Sequence, residues 1–189
     1  MKLRTFIALE LPKVHKDAIL QHLNRWRSLH CEGINWVAPE NLHLTLLFIG
    51  DTQGGDLPAL KETLSRKVES YDSFSLRCLG FELFPAREPK LLWAKLQTAD
   101  QGIYSCAKDL KRSVQALGYS PDVKPLKLHI TVGRIKSPQS VWLEREFLEA
   151  ELPSQPADYD TVTFYQSILR PEGPLYLPLE QYTMQKKHL

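Results

Sequence analysis

Two five-residue runs, Leu42-His43-Leu44-Thr45-Leu46 and Leu128-His129-Ile130-Thr131-Val132, lie 86 positions apart and carry one pattern. Each alternates apolar with polar residues, the period of a strand that buries one face. Side chains two apart on a strand share a face, so His43 projects with Thr45 and His129 with Thr131. The same offset of 86 links Pro39 to Pro125, Ala8 to Ala94, Phe6 to Leu92 and Pro85 to Pro171. A repeat this coarse does not build a solenoid. It predicts two similar lobes about a pseudo-twofold axis, with the two His-Thr faces meeting across a cleft.

Local signals fill in the frame. Leu3 to Leu9 reads as a strand, and Pro12 suits the opening of a helix over Lys13 to His30, with Ile19, Leu20, Leu23, Trp26 and Leu29 at helical spacing. A short strand is expected at Asn35-Trp36-Val37, then the first His strand up to Gly50-Asp51 and a helix over Leu57 to Glu69. Strands at Phe74 to Leu79 and Phe81 to Phe84 close the first half. Leu91 to Leu96 restarts the series, followed by a helix over Gln101 to Leu117 capped by Gly118, and by the second His strand. Val141 to Glu151 reads as a helix, Thr161 to Ile168 as a strand and Leu175 to Leu177 as a last short strand. The fold class is α+β: duplicated β-α-β-α-β units, with antiparallel sheets flanking a central cleft. Residues 1–189 are expected to form one bilobal domain whose repeats span about 1–86 and 87–178, with 179–189 a C-terminal tail that is polar from Gln185 to Leu189.

Composition narrows the classes of function. The chain has 189 residues, 43% hydrophobic and 24% charged, which is enough for a sizeable core. A net charge of +2 suits contact with an anion but not the coating of nucleic acid. Cys31, Cys78 and Cys106 are odd in number and lack metal-site spacing, as reduced cysteines of a cytoplasmic protein would. The charged start Met1-Lys2-Leu3-Arg4 is unlike a signal peptide, and no apolar run has the length of about 20 residues that spans a bilayer, so no membrane contact is expected.

The paired faces suggest chemistry. A lone His on a strand is most often a hydrogen-bonded structural residue, but two at matching positions of a repeat put a polar face at the heart of each half's most apolar strand. Burying that face is costly unless it opens on a cleft. Neither strand carries a second metal ligand beside its His, and zinc asks for three or four. Two hydroxyls and two imidazoles converging on one point suit a tetrahedral anion, above all phosphate. With an ordinary pKa near 6.5, one ring can be neutral and the other protonated near neutral pH, so one takes a proton while the other gives one. Thr45 and Thr131 would hold the non-bridging oxygens. Arg134 is a natural phosphate fork on the wrong face by simple alternation, unless a bulge at Gly133 turns it back; otherwise it is a solvated or ion-paired strand-end residue. Its counterpart is Phe48, so it breaks the twofold symmetry.

These motifs resemble the two His-x-Thr motifs of the two-histidine phosphoesterases, and most closely the bacterial and archaeal RNA 2′,3′-cyclic phosphodiesterases, also called 2′-5′ RNA ligases. Phe6-Ile7-Ala8-Leu9, the lead-in Trp36 to His43, Phe48-Ile49-Gly50, Phe84-Pro85, Leu92-Trp93, Tyr165-Gln166-Ser167, Pro171, Gly173 and Tyr176 share in the resemblance, which spans nearly the whole chain. It implies hydrolysis of RNA 2′,3′-cyclic phosphate ends to 2′-phosphomonoesters, without metal or other cofactor, by a monomer. On that pattern His43 is the proton donor to the leaving 3′ oxygen, His129 the base that activates water, and Arg134 a phosphate ligand. Leu128 departs from the family's frequent proline. Two alternatives are 2′-5′ joining or cleavage of RNA by the same residues, and a non-catalytic RNA- or nucleotide-binding module.

Overall fold

A computed structural model describes residues 1–29, 32–85, 87–88, 90–137, 141–171 and 173–186, the side chains of 141 and 142 excepted. Cys31, and the end of the first expected helix at His30, lie outside the described residues. Nine strands and four helices follow in the order β1 (Lys2–Glu10), α1 (Lys13–Ser28), β2 (Ile34–Trp36), β3 (His43–Gln53), α2 (Leu57–Val68), β4 (Phe74–Phe84), β5 (Leu91–Gln97), α3 (Gly102–Ala116), β6 (His129–Ile135), α4 (Val141–Glu149), β7 (Ala157–Tyr159), β8 (Thr161–Ile168) and β9 (Leu175–Thr183) among the described residues. They build two antiparallel sheets, β3-β1-β8-β9 and β2-β6-β5-β4-β7. The α+β bilobal architecture expected from the repeat is thus present.

The lobes do not coincide with the two halves of the chain divided near residue 86. Strand β4 lies in the second sheet beside β5, whereas β8 and β9 cross back to the first. The helices exchange as well. Trp26 on α1 packs on Trp36, Phe81 and Phe147, all of the second lobe. Helices α2 and α3 pack together against β9 and β3 of the first sheet. Each lobe therefore buries apolar surface from both halves of the chain, which ties the cleft walls together.

The register refines the repeat. Ala8 lies opposite Thr45 and Trp93 opposite Thr131, so the strands leading the two halves correspond with an offset of 85 rather than 86. Phe6 therefore corresponds to Leu91, not Leu92, and Ala8 to Trp93, not Ala94. The two stretches expected at 74–79 and 81–84 are one strand. Its pairing skips a residue between Cys78 and Gly80, where the φ of +122° at Gly80 is open to glycine.

Of the tail expected from residue 179, residues 179–183 are instead the second half of β9. This strand pairs with β8 as far as Thr183, and Tyr182 and Met184 are buried. Gln185 then donates its amide to the Tyr71 carbonyl and accepts from Ser73. Pro178 masks the strand in the sequence. It is tolerated because β9 is an edge strand whose pairing shifts register beside it, between Phe164 and Tyr165. Residues 187–189 lie outside the described residues. Cys78 and Cys106 are buried free thiols, pushed up to about 11 and about 12 by burial. Among the described residues, no helix is long and apolar enough to cross a membrane.

Candidate active site

Strands β3 and β6 approach each other between the lobes. Both open with one burial pattern: a half-buried His, a buried aliphatic residue, a half-buried Thr, then two buried residues in succession. The double step is a β-bulge. Thr45 and Leu47 face Ala8 and Ile7, leaving Leu46 extra; Thr131 and Gly133 face Trp93 and Leu92, leaving Val132 extra. Leu46 and Val132 are 86 apart, so the bulge belongs to both copies. A one-residue insertion inverts the faces beyond it. It turns Phe48 and Arg134 onto the side of the His and Thr residues, which resolves the parity of Arg134. Space at position 133 favours glycine. A Cβ would lie 2.9 Å from Leu92 Cδ1 and 3.2 Å from both Ile34 Cγ2 and Trp36 Cε3.

The cleft encloses a cavity of about 480 Å³. His43, Thr45, Thr131 and Arg134 line it together with Phe6, Trp36, Phe48, Asn41, Arg170 and Tyr176. His129 is not among the residues that line this cavity, although its charge acts on His43.

The two imidazoles are held alike. His43 Nδ1 is 2.7 Å from the Asn41 carbonyl, and His129 Nδ1 is 2.8 Å from the Lys127 carbonyl, in each case two residues back. A carbonyl only accepts, so each Nδ1 carries the proton and each neutral ring keeps a lone pair on Nε2. Asn41 ends a short 3-10 turn begun by Pro39, and its side-chain amide donates to the Pro174 carbonyl at 2.8 Å. That bond ties the lead-in of His43 to the β8–β9 connection. The Thr45 hydroxyl lies 3.0 Å from His43 Nε2 and donates to it. This differs from the expectation that both threonines only await an anion: Thr45 also occupies the reactive nitrogen of its own His.

Electrostatics separates the rings. Burial and, less strongly, the charge of His129 pull His43 down to about 4, against the opposing effect of its bond to Asn41. Burial also lowers His129, offset by its bond to Lys127; the Lys127 charge lowers it and Glu82 raises it. Both imidazoles are therefore neutral near neutral pH in the free cleft. Tyr176 meets His43 edge-on, at 5.2 Å and 83° between ring planes. Its phenol is raised by burial, while the charges of Arg134 and Arg4 pull it down. Arg4 itself lies 5.0 Å above the Phe48 ring.

Sequence reasoning did not single out Asn41, Arg170, Tyr176 or Trp93 as site residues. Asn41 was legible in principle, since a residue two before a strand His can offer its carbonyl. The others depend on which strands become neighbours. Among the described residues, no three His, Cys, Asp or Glu side chains gather as a metal site would need.

Comparison with known proteins agrees with this geometry. The model of the LigT-like phosphoesterase family matches residues 13–93 and again 96–176. An RNA 2′,3′-cyclic phosphodiesterase of Thermotoga maritima is 32% identical over 178 residues, covering 92% of this chain and 91% of the relative. A crystal structure of a Thermus thermophilus protein superposes with a TM-score of 0.82 at 27% identity, covering 98% of this chain and all of that one. Escherichia coli LigT complexed with 3′-AMP shares the fold, with a TM-score of 0.74 at 23% identity and coverage of 98% and 100%. With its family model matched in both halves and two His-x-Thr strands facing one cleft, the chain belongs to the LigT-like phosphoesterase family.

Proposed function

We propose that this protein hydrolyses the 2′,3′-cyclic phosphate at RNA ends to a 2′-phosphomonoester, with His129 as general base and His43 as general acid. The observation that carries this is the matched fixation of the two rings, each bound through Nδ1 to the carbonyl two residues back. His129 Nε2 takes a proton from water as the water oxygen bonds to phosphorus. The bond from phosphorus to O3′ breaks, and His43 delivers its proton to that oxygen. Thr45, Thr131 and Arg134 hold the non-bridging oxygens, where charge develops. A protonated His43 belongs to the anion-bound cleft. In the free cleft the ring is held down to about 4, chiefly by burial, and a phosphodiester charge beside it works in the opposite direction. Thr45 releases Nε2 when its hydroxyl turns to the anion.

One copy of the chain supplies every group in this scheme, and we take the acting form to be a cytoplasmic monomer that needs no metal. The test offers the protein an oligoribonucleotide with a 2′,3′-cyclic phosphate end and, separately, a 2′-5′-linked oligonucleotide. Release of the 2′-phosphate end as the main product is expected. Turnover of only the 2′-5′ linkage would overturn the assignment in favour of a ligase-type reaction.

A further inference from the structure

Behind His129 two aromatic rings and a cation form a row. The Lys127 ammonium lies 4.2 Å from the centre of the Phe84 ring; Phe84 stacks on Trp93 at 3.9 Å and 12°, and Trp93 stacks on His129 at 3.8 Å and 27°. His43 has no such plate. Phe6 lies tilted beneath it at 5.0 Å and 37°, and Tyr176 meets it on edge. The difference follows from the register, which sets Trp93 opposite Thr131 but Ala8 opposite Thr45. Trp93 is only 7% exposed, and its Nε1 finds no hydrogen-bond partner among the described residues. A buried indole usually satisfies that donor, so what the position uses is the ring face.

We propose that Trp93 is a positioning residue for His129: its indole face, backed by Phe84, fixes the plane of the imidazole and stabilises the imidazolium that forms when His129 takes a proton. The Lys127 carbonyl already fixes the ring's rotation through Nδ1. An aromatic face attracts a cation, best of all the face of Trp, so the stack favours the protonated ring over the neutral one. That is what a general base needs, and of the two histidines only His129 lies close against an indole face, while His43 meets the tilted Phe6 ring at 5.0 Å. The proposal rests on His129 being that base.

The other charges around His129 are accounted for. Lys127 precedes it and disfavours its protonation, Glu82 on β4 favours it, and His43 on β3 carries like charge when protonated. Lys95 on β5, directly opposite His129, is 2.9 Å from Glu82 and engaged there.

The test is the titration of the His129 ring by NMR in the full chain, alongside the pH profile of kcat/KM. Trp93→Leu should lower the pKa of His129 by about 0.5–1 unit and carry the acid limb of the profile with it. Trp93→Phe should lower that pKa by a smaller but measurable amount, since a phenyl face attracts a cation less than an indole face does. Lys127→Gln, which removes the competing cation, should move the pKa upward. If Trp93→Leu does not fold, the opposite displacements of the Phe and Lys127 variants decide. Unchanged titration in the folded Trp93 variants, or a loss of activity with no movement of the acid limb, would reduce Trp93 to packing and overturn the proposal. A wild-type chain inert on cyclic phosphate ends would sink the assigned reaction alone, because the NMR shift does not depend on turnover.

Discussion

Arg134 and Phe48 occupy equivalent positions in the two His strands, 86 residues apart, and each is turned into the cleft by the bulge that follows its Thr. The histidines and threonines obey the pseudo-twofold axis; this pair does not. One side of the cleft carries a guanidinium fork, and the other an aromatic ring stacked on Phe6 at 5.6 Å and 9°, with the Arg4 guanidinium 5.0 Å from its centre. In the proposed reaction, a substrate with a phosphate at one end and a nucleoside at the other would meet different groups in its two directions. Arg134→Gln should therefore lower kcat/KM on cyclic phosphate ends by roughly 10–100-fold, the value of one charge-assisted contact, with little change in fold. Arg134→Lys should recover only part, lacking the planar fork. Steady-state kinetics on a 2′,3′-cyclic-phosphate oligonucleotide measures both.

The bulge itself can be tested through Gly133. A methyl there meets Leu92, Ile34 and Trp36 at 2.9–3.2 Å, in a wall that β2, β5 and β6 share. Gly133→Ala is expected to cost about 1–3 kcal/mol of stability, as overpacked cores do. It should also weaken kcat/KM by displacing Arg134. Urea denaturation of the variant beside wild type gives the first quantity; an unchanged midpoint would mean the strands part freely at this point.

His43→Ala and His129→Ala should each lower kcat by roughly 10²–10⁴ while circular dichroism stays that of wild type. Either single variant turning over at the wild-type rate would remove that ring from the mechanism.

Stability should depend on pH through His43. Its folded-state pKa of about 4 lies below the roughly 6.5 of an unfolded imidazole, so between these values the unfolded chain binds the extra proton. Stability present above about pH 6.5 is lost as the pH falls toward 4, by on the order of 3 kcal/mol at most. His129 shifts in the same direction and adds to the loss. His43→Gln should flatten the dependence, as read from urea midpoints between pH 7.5 and pH 4.5. A slope identical to wild type would show that other groups carry it.

Activity is expected to survive exhaustive treatment with a chelator, since the scheme moves protons between imidazoles and a diester without a Lewis acid. Loss of activity that returns on adding a divalent cation would overturn that expectation.

Much of this molecule is written locally. The alternation around His43 and His129 specifies two strands with a polar and an apolar face, because a strand's period is two whatever its neighbours. The stripe of Ile103, Cys106, Leu110, Val114 and Leu117 specifies α3 for the same kind of reason; the first four are fully buried, whereas Leu117, just past the end of the helix, is exposed. The offset between the His strands relates their chemistry before any coordinates are known. What only the tertiary structure decided is pairing. Whether Val132 bulges, and so which way Arg134 points, depends on Leu92 and Trp93, some forty residues away in the chain. Exchange of β4 and β8 between lobes, the extension of β9 past Pro178 and the placing of Trp93 beneath His129 are likewise choices of neighbour. A residue's own φ and ψ preferences carry the period of its strand, but the strand it lies beside is selected by the burial of the whole core.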